Sequence, residues 1–281
     1  MTARTFVTQW KARDGIEIFV RGWEPEARPR AVICLEHGLG EHTDRYAHVA
    51  DAMCAAGHAM LGADLRGHGR SGGQRGHAPS MDAYIEDFEQ LLGEARTRYP
   101  GIPVFLYGHS LGAILMLAFG LRRRPDLPGA ILTAPALHTN LEEQRIKVIM
   151  ARILGTLMPK GSIRTGLDQS KLSHDPAVVQ AYRTDPLVHD KASLGWGKMM
   201  LETNRWILQN AADFPMPLLL MHGGLDVIAY PSSSRELAAS LGSRVQLVIW
   251  DKMLHEIHNE PEKAAVLQTM TDWLDARLKQ A

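Results

Sequence analysis

The chain is poor in the features that would assign it to several large classes. Among its 281 residues there are two cysteines, Cys34 and Cys54. Neither has a neighbour at metal-ligand spacing, so two buried thiols in a reducing compartment is the simple reading. No apolar stretch reaches the ~18 residues that would span a bilayer. The N-terminus, Met1-Thr2-Ala3-Arg4, has no continuous apolar region of the signal-peptide kind, and the expectation is a cytoplasmic protein. Charge of one sign is not in excess, with 31 Lys plus Arg against 31 Asp plus Glu. An electrostatic case for nucleic acid is therefore missing. The short run Arg122-Arg123-Arg124 reads as a solvated helix C-terminus, where cations suit the macrodipole. No internal repeat or low-complexity segment stands out.

What is present is an alternation of apolar strands and helices. Phe6 to Trp10 and Ile16 to Trp23 alternate at strand period around Arg13-Asp14-Gly15, a hairpin signal. Ala31 to Glu36, His58 to Ala63, the Val104 segment and Ala130 to Thr133 are apolar throughout. Helical segments over Tyr46 to Ala56, Met81 to Tyr99 and from Ala113 separate them. Strands of that kind belong to a mostly parallel sheet covered by helices on both faces. The pattern resumes with strands at Leu218 to Met221 and Val245 to Trp250 and a terminal helix over Lys263 to Leu278.

Between these two parts, over residues 136–214, the alternation stops. The chain thus divides into a first core part (1–135), a mostly helical insertion (136–214) and a second core part (215–281). Ile146, Ile149, Met150, Ile153, Leu154 and Leu157 fall at helical spacing in the insertion. It reads most simply as a cap over the sheet's carboxyl edge, where open α/β sheets bind ligands. The apolar stripe reads first as packing against the core. A membrane-docking face is the second reading, which leaves a transient membrane-surface contact through the cap open.

The segment Val104-Phe105-Leu106-Tyr107-Gly108-His109-Ser110-Leu111-Gly112 carries the chemistry. It reads as a buried strand entering a Gly-x-Ser-x-Gly turn and then an apolar helix. A sharp strand-to-helix turn lifts a serine hydroxyl clear of the backbone, and small residues at Gly108 and Gly112 let the two elements approach. The N–H of Leu111 at the helix start can bind a developing oxyanion. A serine also needs a base, and the base an orienting acid. The order Ser, then acid, then His points to Asp226 in His222-Gly223-Gly224-Leu225-Asp226 and to His255 in Lys252-Met253-Leu254-His255. Taken singly, Asp226 could be a turn former and His255 a surface histidine, but each follows a strand on the same edge as Ser110. His258 is a rival base on the same turn. The second oxyanion donor is expected from the loop His37-Gly38-Leu39-Gly40, as the N–H of Leu39.

Two motifs point elsewhere and are set aside. Gly67-His68-Gly69-Arg70-Ser71-Gly72 matches a dinucleotide-binding pattern, with Asp87 near the expected ribose-binding position. Gly73, Gly76 and Pro79 follow, so no helix opens on the glycines to cradle a phosphate. His255-Glu256-Ile257-His258 suggests a zinc helix, but its histidines are spaced i, i+3, and no third ligand is apparent. No metal and no cofactor are expected.

Together the residues resemble monoacylglycerol lipases and the similar bacterial lysophospholipase-like serine hydrolases. The resemblance rests on the motif beginning at His37 with Glu41, His42, Arg45 and Tyr46, on Asp64 to Ser71, on Gly108 to Gly112, on Tyr182 to Leu187, and on His255 to Glu260. It implies the α/β-hydrolase fold with a helical cap, the triad Ser110, Asp226 and His255, and oxyanion donors at Leu39 and Leu111. It further implies that Glu41, Arg45 and His258 surround a glycerol head group, with Tyr182 of the cap nearby. From the residues alone, Glu41 and Arg45 could equally be a local ion pair of little energetic value. Two departures stand out. The cysteines that animal members carry near the active site have no counterpart between Asp185 and Tyr230. The elbow also continues into Ala113, where a second glycine is common.

The expected function is cleavage of a monoacylglycerol-type lipid ester through an acyl-enzyme. A lysophospholipase, a small-ester carboxylesterase or an acyltransferase would use the same triad, and a non-enzymatic ligand receptor on the same fold is a third class. Oligomeric state is left open.

Overall fold

Burial on both faces governs the central sheet of the computed structural model, which describes residues 3–139, 149 and 153–280. The chain opens with an antiparallel hairpin, β1 (Arg4–Lys11) and β2 (Glu17–Glu24), in the register Thr8↔Val20. Then follow β3 (Val32–Glu36), α1 (Ala47–Ala55), β4 (Ala59–Ala63), α2 (Met81–Arg98), β5 (Val104–His109), α3 (Leu111–Arg123) and β6 (Ala130–Thr133). The next segment contributes β7 (Ser162–Arg164), α4 (Pro176–Thr184), β8 (Lys191–Ser193) and α5 (Leu194–Asn210). The chain closes with β9 (Leu218–Gly223), α6 (Pro231–Leu241), β10 (Val245–Trp250) and α7 (Lys263–Leu278).

The eight-stranded sheet has the order β1-β2-β4-β3-β5-β6-β9-β10. From β4 to β10 along that order every neighbouring pair is parallel. Successive residues of a strand feed opposite cores. Cys34, Leu61, Leu106, Leu132 and Leu220 pack on the α2 and α3 side. Ile33, Leu35, Met60, Phe105, Ile131 and Leu219 pack on the α1 and α7 side. With a core on each face, a period of two leaves no polar positions, which is why these strands read as continuous apolar runs. Cys34 and Cys54 are free and buried. Arg122 and Arg123 pair with Asp82 and Glu89 across to α2.

Helix α3 has no solvated face over its apolar length, because every residue from Leu111 to Leu121 is buried. The sheet lies beneath it and α5 contributes Met200 and Ile207 to the same core. Local signals start the other helices. Ser80 accepts a bond from Ala83 N at the start of α2, and Ser193 one from Trp196 N at the start of α5. Pro176 occupies the first turn of α4 behind its cap, Asp175.

The inserted segment departs from the expected helical composition in one respect. Its described residues include a two-stranded antiparallel ribbon, with Ile163 opposite Ala192. Strands of three residues are too short to show alternation, so sequence pattern passes over them. Ile146 and Met150 of the apolar stripe lie outside the described residues. Among the described residues no helix is long and apolar enough to cross a membrane.

α3 meets the sheet by backbone contact. A Cβ on Gly112 would stand 1.9 Å from the Glu36 carbonyl oxygen at the end of β3, and one on Gly108 would stand 2.6 Å from the Gly112 carbonyl oxygen. No rotamer relieves a clash between backbones. Gly112→Ala is therefore expected to destabilise the fold by about 3 kcal/mol or more, the upper range for overpacking, with Ser110 reactivity falling in step. An unchanged Tm in a thermal melt would refute the contact.

Candidate active site

Ser110 stands at the turn between β5 and α3 with φ 52° and ψ −110°. This is a left-handed, sparsely populated conformation for a non-glycine residue, with a cost of order 1–3 kcal/mol. The glycine contacts just described hold it, as does a bond from Ser110 N to Thr133 O at 2.9 Å. The side chain remains 9% exposed. Its Oγ lies 3.0 Å from His255 Nε2. His255 Nδ1 lies 2.6 Å from Asp226 Oδ2. β5, β9 and β10 are parallel, so the segments that follow them reach one edge of the sheet and these three side chains meet there.

Partners assign the protons. Asp226 Oδ1 accepts from the N–H groups of Ile228 (2.8 Å) and Ala229 (3.0 Å). Burial pushes the Asp226 carboxyl up, but His255 and His222 together hold it well below the ordinary carboxylate range. It is an anion, hence an acceptor, and His255 Nδ1–H donates to it. The Nε2 lone pair is then free for the Ser110 hydroxyl. Burial lowers the His255 pKa, but the Asp226 charge and hydrogen bond outweigh it and raise the pKa above the ordinary 6.5.

The loop after β3 is held by its own side chains. Glu41 Oε1 accepts from Gly38 N (2.6 Å) and from the Tyr46 hydroxyl (2.7 Å). His37 Nε2 accepts from Leu65 N at 2.9 Å, so its Nδ1–H donates to Gly38 O at 2.8 Å. Leu39 and Leu111 both line the cavity that opens on Ser110. As the first residue of α3, Leu111 has no intrahelical acceptor for its N–H.

Arg45 is not in an isolated ion pair. It donates to Glu41 Oε2 and, in a fork, to both carboxylate oxygens of Glu256 at 2.7 Å. Its guanidinium lies 4.6 Å from the centre of the Tyr182 ring. Both carboxylates are buried, so Arg45 neutralises two charges that could not stand alone. Of the four residues expected around a head group, Glu41 and Tyr182 line the cavity and Arg45 and His258 do not. His258 is 0% exposed and stacks on Tyr46 at 4.9 Å, with its ring 4.8 Å from His109. The single turn at Ile257–Asn259 directs it into the core, where burial pushes its pKa down to about 3. It is a neutral core histidine, and this corrects its expected head-group contact.

The cavity measures about 720 Å³ and is walled by residues such as Leu154, Leu167, Leu172, Trp196, Met200 and Ile228. A second groove of about 480 Å³, between the start of α2 and α5, shares no lining residue with it. The inserted segment is tied to both loops of the site. His189 N donates to Gly40 O, and Glu256 N donates to Leu172 O. His42 Nε2 lies 2.8 Å from Asp185 Oδ2.

Residues 27–262 match the family described as serine aminopeptidase, S33. The chain belongs to this hydrolase family. A monoacylglycerol lipase of Mycolicibacterium smegmatis is 36% identical over 266 residues, covering 94% of this chain and 95% of that protein. An uncharacterized abhydrolase domain-containing protein of Dictyostelium discoideum is 37% identical, and this chain spans only 28% of its length. The crystal structure of Paleococcus ferrophilus monoacylglycerol lipase superposes with a TM-score of 0.83 at 29% identity, covering 98% of this chain and 99% of that one. The fold is that of the α/β-hydrolases.

The motifs set aside have structural employment in this hydrolase. Asp87 takes the Arg66 guanidinium in two bonds, at 2.7 and 2.9 Å, and the next helix begins only at Met81. Glu256, part of both the zinc-like pattern and the His255 to Glu260 motif but given no role there, is the fork acceptor of Arg45. His222, on β9, was not singled out, yet it reaches Asp226. Its only signal is that it opens the His-Gly-Gly-Leu-Asp turn.

Only neutral His255 can accept the Ser110 proton. Labelling of Ser110 by a fluorophosphonate is therefore expected to fall on acidification through a one-proton limb centred above pH 6.5. A limb centred below that value would contradict the balance of burial and Asp226 charge.

Proposed function

We propose that this protein is a serine ester hydrolase that cleaves monoacylglycerol-type lipid esters to a free fatty acid and glycerol. The observation that carries the reading is the chain Ser110 Oγ, His255 Nε2, His255 Nδ1, Asp226 Oδ2, at 3.0 and 2.6 Å, opening on an apolar cavity of about 720 Å³. Ser110 Oγ attacks the ester carbonyl carbon as His255 Nε2 takes its proton. Asp226 holds the imidazole in its tautomer and stabilises the imidazolium. The N–H groups of Leu39 and Leu111 receive the oxyanion. Collapse breaks the ester C–O bond, and His255 returns its proton to the departing alcohol. Water, its proton taken by His255, then attacks the acyl carbon, the bond to Ser110 Oγ breaks to release the acid, and His255 returns the proton to Oγ.

The substrate assignment draws on the cavity and on the relatives named above. Each methylene of an acyl chain moved from water into these walls is worth about 0.8 kcal/mol before binding costs, which favours long chains. At the polar end, Glu41 already accepts three bonds, leaving about one of its four acceptor sites for a glycerol hydroxyl. Tyr182 lines the same cavity. We read residues 136–214 as the cap that roofs the acyl chain. Ile149, Ile153, Leu157 and Met158 are 56, 55, 72 and 59% exposed, and they support a transient membrane-surface contact through that cap. Two free buried thiols suit a cytoplasmic protein.

Ser110→Ala is expected to lower kcat by a factor on the order of 10⁴ to 10⁶. With that variant as the blank, kcat/KM for a long-chain monoacylglycerol should exceed that for p-nitrophenyl butyrate. A preference for the short ester would keep the mechanism and reject the lipid. For the membrane contact, Ile149→Ser with Ile153→Ser should abolish co-flotation with phosphatidylcholine–phosphatidylglycerol vesicles. Binding that survives both changes would remove this face from the reading.

A further inference from the structure

Two side chains beyond the triad are joined to it by hydrogen bonds. His222 is fully buried on β9. Its Nε2 lies 3.1 Å from Asp226 Oδ2 and 2.8 Å from the Ala229 carbonyl oxygen. Both partners are acceptors only, so Nε2 carries the proton. Its Nδ1 lies 2.7 Å from the hydroxyl of Ser234, which is fully buried on α6. Of the two neutral tautomers, only the one protonated on Nε2 satisfies all three contacts, with the Ser234 hydroxyl donating to Nδ1.

The effect falls on Asp226. Its Oδ2 holds two N–H donors, His255 and His222, and its Oδ1 holds two backbone N–H groups. Four donors on about four acceptor sites fix the plane of the carboxylate. Asp226 sits in a turn, whereas His222 sits in a central strand and Ser234 in a helix. The turn-borne acid is thus tied to two regular elements. Without the His222 donor, Oδ2 would keep one partner, and the carboxylate could rock about its Cβ–Cγ bond and carry His255 off line.

We infer that His222 and Ser234 are positioning residues that extend the Ser110–His255–Asp226 chain and set the Asp226 carboxylate for His255. The inference rests on the triad reading given under Proposed function. Neither residue touches substrate. Both act through Asp226, and Ser234 does so by fixing the His222 tautomer.

The test separates a positioning role from simple core packing. His222→Leu removes the donor, whereas His222→Gln returns an amide N–H near the same point. A hydrogen bond to a charged group is worth about 1.5–3 kcal/mol, so His222→Leu should lose about 10- to 100-fold in kcat for p-nitrophenyl butyrate, with KM little changed. Fluorophosphonate labelling of Ser110 should slow by the same factor. His222→Gln should recover most of both rates. Ser234→Ala should lose roughly 2- to 10-fold, as for a neutral hydrogen bond, and Ser234→Thr should restore it. Equal rates in the Leu and Gln variants, or a wild-type rate in the Leu variant, would overturn the inference. If the Leu variant does not fold, the Ser234 pair decides: a slow Ala with a normal Thr supports the inference, and a normal Ala overturns it. Ser110→Ala in the same assays guards the underlying reading. Activity retained there would overturn the triad itself, whereas its loss beside a normal His222→Leu would overturn the positioning role alone.

Discussion

The contact on which the rest of the site depends is between two backbones, where α3 lies against the end of β3 at Gly112 and against β5 at Gly108. At such a distance the chain has little room to turn from β5 into α3. It does so in one residue, and that residue is forced to a positive φ. The strain at Ser110 is thus a by-product of packing. The same packing aims the hydroxyl outward and leaves the first N–H of α3 beside it. Local geometry at Ser110 follows from the all-round burial of α3, a property of the whole layer.

The second constraint is electrostatic. The site buries Asp226, Glu41 and Glu256 in a small volume. Each is made tolerable by donors rather than by solvent. Asp226 takes four N–H groups, and the two glutamates share one guanidinium. Exposed ion pairs contribute little, but a buried charge that loses its partner is costly. The two networks also have a geometric effect. Arg45 connects Glu41, which holds the Gly38 loop, to Glu256, which adjoins His255. The loops that carry Leu39 and His255 are therefore fixed relative to each other through one side chain.

Much of this was legible in the residues and some was not, for identifiable reasons. Continuous apolar strands give away a sheet with two covered faces, and glycines around a serine give away a tight elbow. The chain order of Ser110, Asp226 and His255 could be read because each follows a strand and parallel strands share an edge. The short ribbon of Ser162–Arg164 and Lys191–Ser193 could not be read, since three residues carry no period. Arg45 was ambiguous for a different reason. An i, i+4 pair with Glu41 is visible in sequence, whereas the stronger fork to Glu256 spans 211 positions. His258 was misjudged because a residue three places after the base tells nothing about which way one turn of 3₁₀ helix points it. His222 went unnoticed because a histidine inside a strand looks like any other core residue until its neighbours are known.

The burial of α3 on every side has a consequence for modularity. An insertion between two strands of a sheet looks like a detachable accessory. Here its helix α5 supplies Met200 and Ile207 to the core that encloses α3. Removing it would bare an apolar helix that has no polar face to turn to water. The segment between β6 and β9 is a structural wall of the domain and also contributes residues to the cavity lining. Grafting a different one onto this scaffold would succeed only if the graft brought its own apolar cover for α3.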